Sequence, residues 1–163
     1  MNGRMRVLSA VTLLIFRGTG AYAAPAFEPT FRVPAPQHGP FTFIAYGDIR
    51  FTNPSETEAS RPPVRRALIA RIAAEHPSAV FITGDIPWHG GTQDDYAVYA
   101  EETAPWKAAR IPVYPALGNH EFSQCVEAEC LEHWWSAFPE LQGRRWYSVA
   151  MGSSMVALAL DSD

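Results

Sequence analysis

The stretch FTFIAYGD, Phe41 to Asp48, is a run of aromatic, β-branched and small residues that ends in Gly-Asp. Such a run predicts a strand that is buried on both faces, as strands of parallel sheets are. A similar ending recurs in SAVFITGD, Ser78 to Asp85, and in IPVYPALGNHE, Ile111 to Glu121, where the strand runs into Gly-Asn-His-Glu. The sequence therefore predicts three strands that each deliver polar side chains at their carboxyl ends.

Helices are predicted between these strands. The first runs from about Ser60 to His76, with Ser60 as N-cap and prolines at 62 and 63 in the first turn. Its apolar stripe is predicted to consist of Val64, Leu68, Ile69 and Ile72. Its arginines, at 61, 65, 66 and 71, are predicted to lie largely off that stripe on a solvated face.

The rest of the chain continues the alternation of helices and strands. A second helix is predicted from Gln93 to Arg110, bent or ended at Pro105, and a short aromatic helix over residues 127–141. A β-hairpin is predicted from Arg145 to Asp161, with its turn at Gly152. Strands alternating with helices predict an α/β fold in which right-handed crossovers join parallel strands.

The first 40 residues divide into two segments ahead of the folded domain, which is predicted over residues 41–163. A basic start, the apolar run VLSAVTLLIF and the small residues AYAA predict a secretory signal over residues 1–23. The alternative is a buried first helix, which Arg17 keeps open. Residues 24–40 contain five prolines and predict an extended lead-in. The signal predicts a periplasmic or secreted protein, and its apolar run is too short for a resident membrane span.

Export gives a role to Cys125 and Cys130, which enclose four residues in a predicted loop. An oxidising compartment favours a disulfide between them. Two free thiols or part of a metal site are the alternatives. The net charge of −4 argues against a nucleic-acid-binding surface, which neutralises phosphates with basic residues.

Asp48, Asp85 and Asn119 follow successive predicted strands, so parallel pairing brings all three to one edge of the sheet. In open α/β sheets the carboxyl edge of the strands is where ligands bind. Two neighbouring carboxylates repel each other unless a cation neutralises them, and carboxylate and amide oxygens are metal ligands. His120, next to Asn119, can act as a general acid.

The motifs GDIR, GDIPWHG and GNHE resemble the first three motifs of the calcineurin-like metallophosphoesterases, Gly-Asp-x-His, Gly-Asp-x4-Gly and Gly-Asn-His-Asp/Glu. The resemblance implies a layered α/β fold and hydrolysis of phosphate mono- or diesters by a metal-activated hydroxide. It also implies a dinuclear centre of iron, manganese or zinc. Asp48 would bind the first metal, Asp85 would bridge both, and Asn119 would bind the second. His120 would be the acid or steady the phosphate, and Glu121 would support the ligands by hydrogen bonds.

Arg50 stands where the family's first motif has histidine. Arginine is always protonated and does not bind metal, but it can hold a phosphate through two parallel hydrogen bonds. Arg50 is therefore predicted either to bind the substrate phosphate or to form an ion pair with a loop carboxylate.

The family's later histidine motifs have no counterpart in these residues, so we expect an N-terminal half that binds metal weakly and is nearly inactive alone. His133 lies in an aromatic helix and is predicted to be structural, whereas His89 could reach substrate or metal, or could be a solvated loop residue. The alternative function is a non-catalytic, metallophosphoesterase-like domain that binds metal weakly or not at all.

Overall fold

The computed structural model describes residues 27–34, 36, 41–53, 55–57 and 60–162. The predicted signal over residues 1–23 lies outside this range. In chain order the regular elements are strands β1 (Phe31–Val33) and β2 (Phe43–Tyr46), helix α1 (Pro62–Glu75), strand β3 (Ala79–Ile82), helices α2 (Gln93–Glu102) and α3 (Ala104–Ala108), strand β4 (Val113–Pro115), helix α4 (Glu127–Ala137), and strands β5 (Tyr147–Met151) and β6 (Met155–Ala159). Two short 3-10 helices cover Asn119–Phe122 and Pro139–Leu141.

The strands form two sheets. One has the order β2-β3-β4 and is entirely parallel, with Ile44 opposite Val80 and Ile82 opposite Pro115. The predicted parallel α/β arrangement is therefore confirmed. The other sheet has the order β1-β5-β6, in which β5 and β6 form the predicted antiparallel hairpin.

Contacts between β4 and the second sheet hold the two sheets together. The Tyr147 hydroxyl donates to the Pro115 carbonyl at 2.5 Å, and the ring of Phe31 lies 5.7 Å from that of Tyr114. Phe31 belongs to the proline-rich segment that is predicted to be an extended lead-in. Within that segment Phe31–Val33 pairs in parallel with β5, so part of it is a strand of the second sheet.

Burial of the strands follows their place in the sheet. Ala79, Val80 and Ile82 in the central strand β3 are at most 1% exposed, as predicted. β2 was also predicted to be buried on both faces, and that prediction is wrong, because Phe43 is 39% exposed. β2 is the outer strand of its sheet, so its side chains have strand neighbours on one side only.

Helix α1 differs from its prediction at its start and in its buried face. Its N-cap is Arg61 rather than Ser60, whereas the two prolines do occupy the first turn. The buried positions are Pro62, Arg65, Ile69 and Ile72, while Val64 and Leu68 are exposed. The helix is thus turned by one residue relative to the predicted stripe, so that an arginine faces the interior. This rotation corrects the prediction that all four arginines are solvated.

Smaller differences concern the other helices. The predicted helix over residues 93–110 is divided at Thr103, and Pro105 lies in the first turn of α3 instead of ending a helix. Cys125 and Cys130 form the predicted disulfide, although Cys130 belongs to α4 and not to a loop. None of the described helices is long and apolar enough to cross a membrane.

Candidate functional site

The loops that leave β2 and β3 run side by side beyond the carboxyl ends of the strands. Asp48 N donates to the Gly84 carbonyl at 3.2 Å, and Arg50 N donates to the Asp85 carbonyl at 2.9 Å. The pairing continues one residue further, where Phe51 N donates to a carbonyl of the other loop. These backbone bonds fix where the side chains of the two Gly-Asp motifs emerge.

Three side chains of this edge emerge from residues in the left-handed region of backbone conformation. The φ angles are 53° at Asp48, 53° at Arg50 and 57° at Asp85. Such angles are uncommon outside glycine and are unfavourable for a long side chain such as arginine. Strained residues of this kind cluster at functional sites, where surrounding contacts hold them in place.

The glycines before the polar residues allow the loops to approach closely. A Cβ at Gly47 would lie 2.0 Å from Thr83 Oγ1, and one at Gly118 would lie 2.6 Å from Asp85 Oδ1. Of the three motif glycines, Gly47, Gly84 and Gly118, only Gly84 has a positive φ angle, of 97°. The reason for glycine at 47 and 118 is therefore close packing, whereas the sharp turn is made by Asp48 and Asp85 themselves.

The carboxylates of Asp48 and Asp85 converge on one cationic atom. Arg50 Nη2 lies 3.3 Å from Asp48 Oδ1 and 3.5 Å from Asp85 Oδ2. Asp48 is largely exposed, whereas Asp85 is buried. The side chain of Arg50 also lies over the Trp88 ring, 5.6 Å from its centre. The ion-pair alternative for Arg50 thus describes this structure, with the two motif aspartates as its partners.

Glu121 holds the Asp85 loop against the loop that follows β4. It is completely buried, and its carboxylate accepts hydrogen bonds from the backbone amides of Asp85 at 3.0 Å, Ile86 at 2.8 Å and Gly118 at 2.8 Å. Burial raises the pKa of the Glu121 carboxyl to about 7, although the three amides oppose this increase. The predicted supporting role of Glu121 therefore takes the form of a clamp on the backbone of two strand ends.

His120 faces Asp85 through a defined nitrogen. Its backbone amide donates to Asp85 Oδ1 at 3.2 Å, and its ring Nε2 lies 3.9 Å from Asp85 Oδ2. The other ring nitrogen, Nδ1, lies 2.7 Å from the Trp88 carbonyl. Because a carbonyl only accepts hydrogen bonds, Nδ1 carries a proton. Nε2 is consequently the nitrogen that can exchange a proton at this site.

Asn119, the third predicted ligand, lies at the same edge of the sheet. It is exposed, at the start of a 3-10 helix between Gly118 and His120. The His120 amide donates to Asp85 Oδ1, and a Cβ added at Gly118 would lie 2.6 Å from the same oxygen. This places the Asn119 backbone beside Asp85.

The other two histidines of this region are engaged elsewhere. His89 Nδ1 lies 3.3 Å from Ser123 Oγ, and its Nε2 lies 3.2 Å from the side-chain nitrogen of Gln124. His133 Nδ1 lies 2.9 Å from the Gly90 carbonyl, to which it can donate, and so ties α4 to the loop after β3. The structural role predicted for His133 agrees with this contact.

Two residues that support the site were not singled out from the sequence. The Trp88 ring stacks on His120 at 4.8 Å and also underlies Arg50. Arg65 reaches the Arg50 carbonyl with Nη1 at 3.4 Å and is paired with Glu102 in the interior. Trp88 could have been predicted as a site residue, because it is an aromatic residue in a glycine-containing loop directly after a Gly-Asp strand. Arg65 could not, because the predicted apolar stripe of α1 is one residue out of register with the observed buried face.

The donor set of this edge suits a metal ion in part. Across the described ranges, no three His, Cys, Asp or Glu side chains are grouped so as to hold a metal by themselves. However, Asp48 and Asp85 already direct anionic oxygens at one positively charged atom, as two ligands of one cation would. Asp48 and Asp85 therefore fit one ion if the Arg50 side chain moves aside.

Comparison with known proteins identifies one family. A sequence model described as calcineurin-like phosphoesterase matches residues 41–151. This range covers the three Gly-Asp and Gly-Asn strand ends, the whole of the parallel sheet, and β5 of the second sheet. No curated protein and no solved structure matches the chain significantly.

Proposed function

The chain belongs to the calcineurin-like phosphoesterase family, and from this premise we propose that it is a metal-dependent hydrolase of phosphate mono- or diesters. One observation carries the proposal. The aspartates of the first two motifs, Asp48 and Asp85, bring their carboxylates together around the Arg50 guanidinium at the carboxyl edge of a parallel sheet. That edge is the usual ligand site of open α/β folds.

Asp48, Asp85 and Asn119 are the residues that would hold the metal. Asp48 and Asp85 would hold one ion, and Asp85 and Asn119 would hold a second, so that Asp85 is shared in a dinuclear centre. Iron, manganese and zinc all accept a mixture of oxygen and nitrogen ligands. Metal ions bound in such a centre activate water and polarise the phosphoryl group.

His120 and Arg50 are the proposed catalytic residues. The Nδ1 proton of His120 is held by the Trp88 carbonyl, so a protonated ring presents its Nε2 proton on the side of Asp85. We assign that proton to the leaving oxygen of the ester, as in general acid catalysis. Arg50, which has five N–H donors, would bind the non-bridging oxygens of the phosphate.

A second candidate function is a non-catalytic domain that binds metal weakly. It is favoured by the same guanidinium, because Arg50 already neutralises part of the charge of Asp48 and Asp85. Both candidates agree with a location outside the cytoplasm, which the Cys125–Cys130 disulfide supports.

The test is hydrolysis of a chromogenic phosphomonoester and a chromogenic phosphodiester by the full chain, with manganese, zinc or iron added. We expect slow turnover that needs metal and stops on chelation, because the Arg50 guanidinium must leave the carboxylates first. Calorimetry on the same samples separates the candidates. Metal binding without any turnover would favour the non-catalytic domain. A protein that shows no metal binding and no turnover would refute the metal centre itself.

A further inference from the structure

The interaction between Arg50 and the two aspartates is mainly a charge attraction, because its hydrogen bonds are long. A single nitrogen, Nη2, faces both carboxylates, at 3.3 Å and 3.5 Å. These distances exceed the usual 2.9–3.0 Å of an N–H···O hydrogen bond, and charge-assisted bonds are normally shorter still. A third of the Arg50 side chain is also exposed. Such a contact can be displaced by a better cation.

The Arg50 backbone, in contrast, is firmly held. Its amide donates to the Asp85 carbonyl at 2.9 Å, and the amide of the next residue, Phe51, donates to the Ile86 carbonyl at 2.6 Å. Within the described chain no group accepts a hydrogen bond from Arg50 Nε. The side chain can therefore change rotamer while its attachment point stays fixed beside Asp85.

The Trp88 ring offers the guanidinium a surface next to its present position. The centre of the ring is 5.6 Å from the Arg50 guanidinium carbon, within the range of a cation–π contact. The same ring stacks on His120, whose Nε2 is the proton-exchanging nitrogen of the site. An Arg50 side chain that slides over Trp88 remains near the place where a phosphate would meet His120.

We propose that Arg50 is a tethered cation that competes with metal for the Asp48–Asp85 pair and, once displaced, binds the substrate phosphate over Trp88. A metal ion and a guanidinium repel each other, so they cannot share the same two carboxylates at short range. In the metal-free protein Arg50 offsets the repulsion between Asp48 and Asp85. In the loaded protein it supplies two parallel hydrogen bonds to phosphate oxygens. This inference rests on the proposed metal-dependent function.

The competition is tested by calorimetric titration of manganese into wild-type protein and Arg50→Gln. Removing the competing charge is expected to tighten manganese binding about tenfold, which corresponds to about 1.4 kcal/mol. Arg50→Lys keeps the charge and is expected to stay near the wild type. Arg71→Gln removes a positive charge from an exposed i,i+4 pair with Glu75 on α1 and is expected to have no effect. Arg50→Asn is a second neutral variant, because asparagine adopts a positive φ more readily than glutamine.

The proposed binding of phosphate by Arg50 is tested with inorganic phosphate added to the manganese-saturated proteins. Arg50→Gln is expected to bind phosphate about tenfold more weakly than the wild type. Manganese binding by both neutral variants that equals or falls below the wild type would overturn the competition. Phosphate binding by Arg50→Gln that equals the wild type would overturn the proposal that Arg50 binds the substrate phosphate. If wild-type protein and the variants all fail to bind manganese, the proposed function falls together with this inference, whereas equal binding by all refutes the inference alone.

Discussion

Asp85→Asn is expected to weaken manganese binding by about 100-fold or more and to remove metal-dependent turnover. The variant takes one of the two carboxylates out of the site and leaves Asp48 as its single anionic ligand. Loss of a residue that only supports the metal ligands commonly weakens metal binding by about 10–100-fold, so loss of a shared ligand should lie at or beyond the top of that range. Metal titration by calorimetry measures the change.

The substitution is well matched to its position. Asparagine tolerates the left-handed backbone that Asp85 adopts at φ 57°, and its side-chain oxygen can still accept from the His120 amide. Asp94→Asn, in the exposed first turn of α2, is the control and should bind manganese like the wild type. An Asp85→Asn protein that binds manganese within about threefold of the wild type would refute the assignment of Asp85 as the shared ligand.

Arg65→Ala is expected to lower the free energy of unfolding by about 3–5 kcal/mol. Arg65 Nε and Glu102 Oε2 are 2.7 Å apart, and both side chains are at most 6% exposed. Truncation would strand the Glu102 carboxylate in the interior without its main partner, which is the costly way to break a buried pair. It would also remove the guanidinium from the face of Phe51, whose ring centre lies 4.8 Å away. Urea denaturation of the two proteins measures the loss.

Arg66→Ala is the matched control for Arg65→Ala. Arg66 also faces Glu102, at 3.9 Å, but is 52% exposed, so its removal should cost at most about 1 kcal/mol. Adding Glu102→Gln to Arg65→Ala should recover part of the lost stability, because the stranded charge is gone. Equal losses for the two arginine variants would contradict the view that the buried pair joins α1 to α2.

The parallel sheet could be predicted because its signal is local. Each of its strands is a short apolar run that ends in glycine and a polar residue, and the helices between them are long enough to cross over. Strand β1 could not be predicted in the same way. Three residues within a proline-rich segment become a strand only because β5, whose Val149 pairs with Phe31 across 118 residues of chain, is there to pair with them.

The motifs predicted which residues lie together at this edge of the sheet, but not how their charges pair. The sequence left Arg50 with two possible partners, phosphate or a loop carboxylate, and only the register of the loops after β2 and β3 puts it between Asp48 and Asp85. Arg65 was predicted to be exposed because the buried face of a helix is predicted from its apolar residues, and arginine is not one of them. Its burial depends on Glu102, which lies 37 residues later in the chain.

Zinc-edge anomalous diffraction from crystals soaked in zinc tests the central claim most directly. We predict an anomalous peak about 2.0–2.2 Å from carboxylate oxygens of both Asp48 and Asp85, the normal zinc–carboxylate distance. The Arg50 guanidinium should then have moved away from both carboxylates. Zinc peaks only at other positions, with Arg50 still between the two aspartates, would contradict a metal centre at this edge of the sheet.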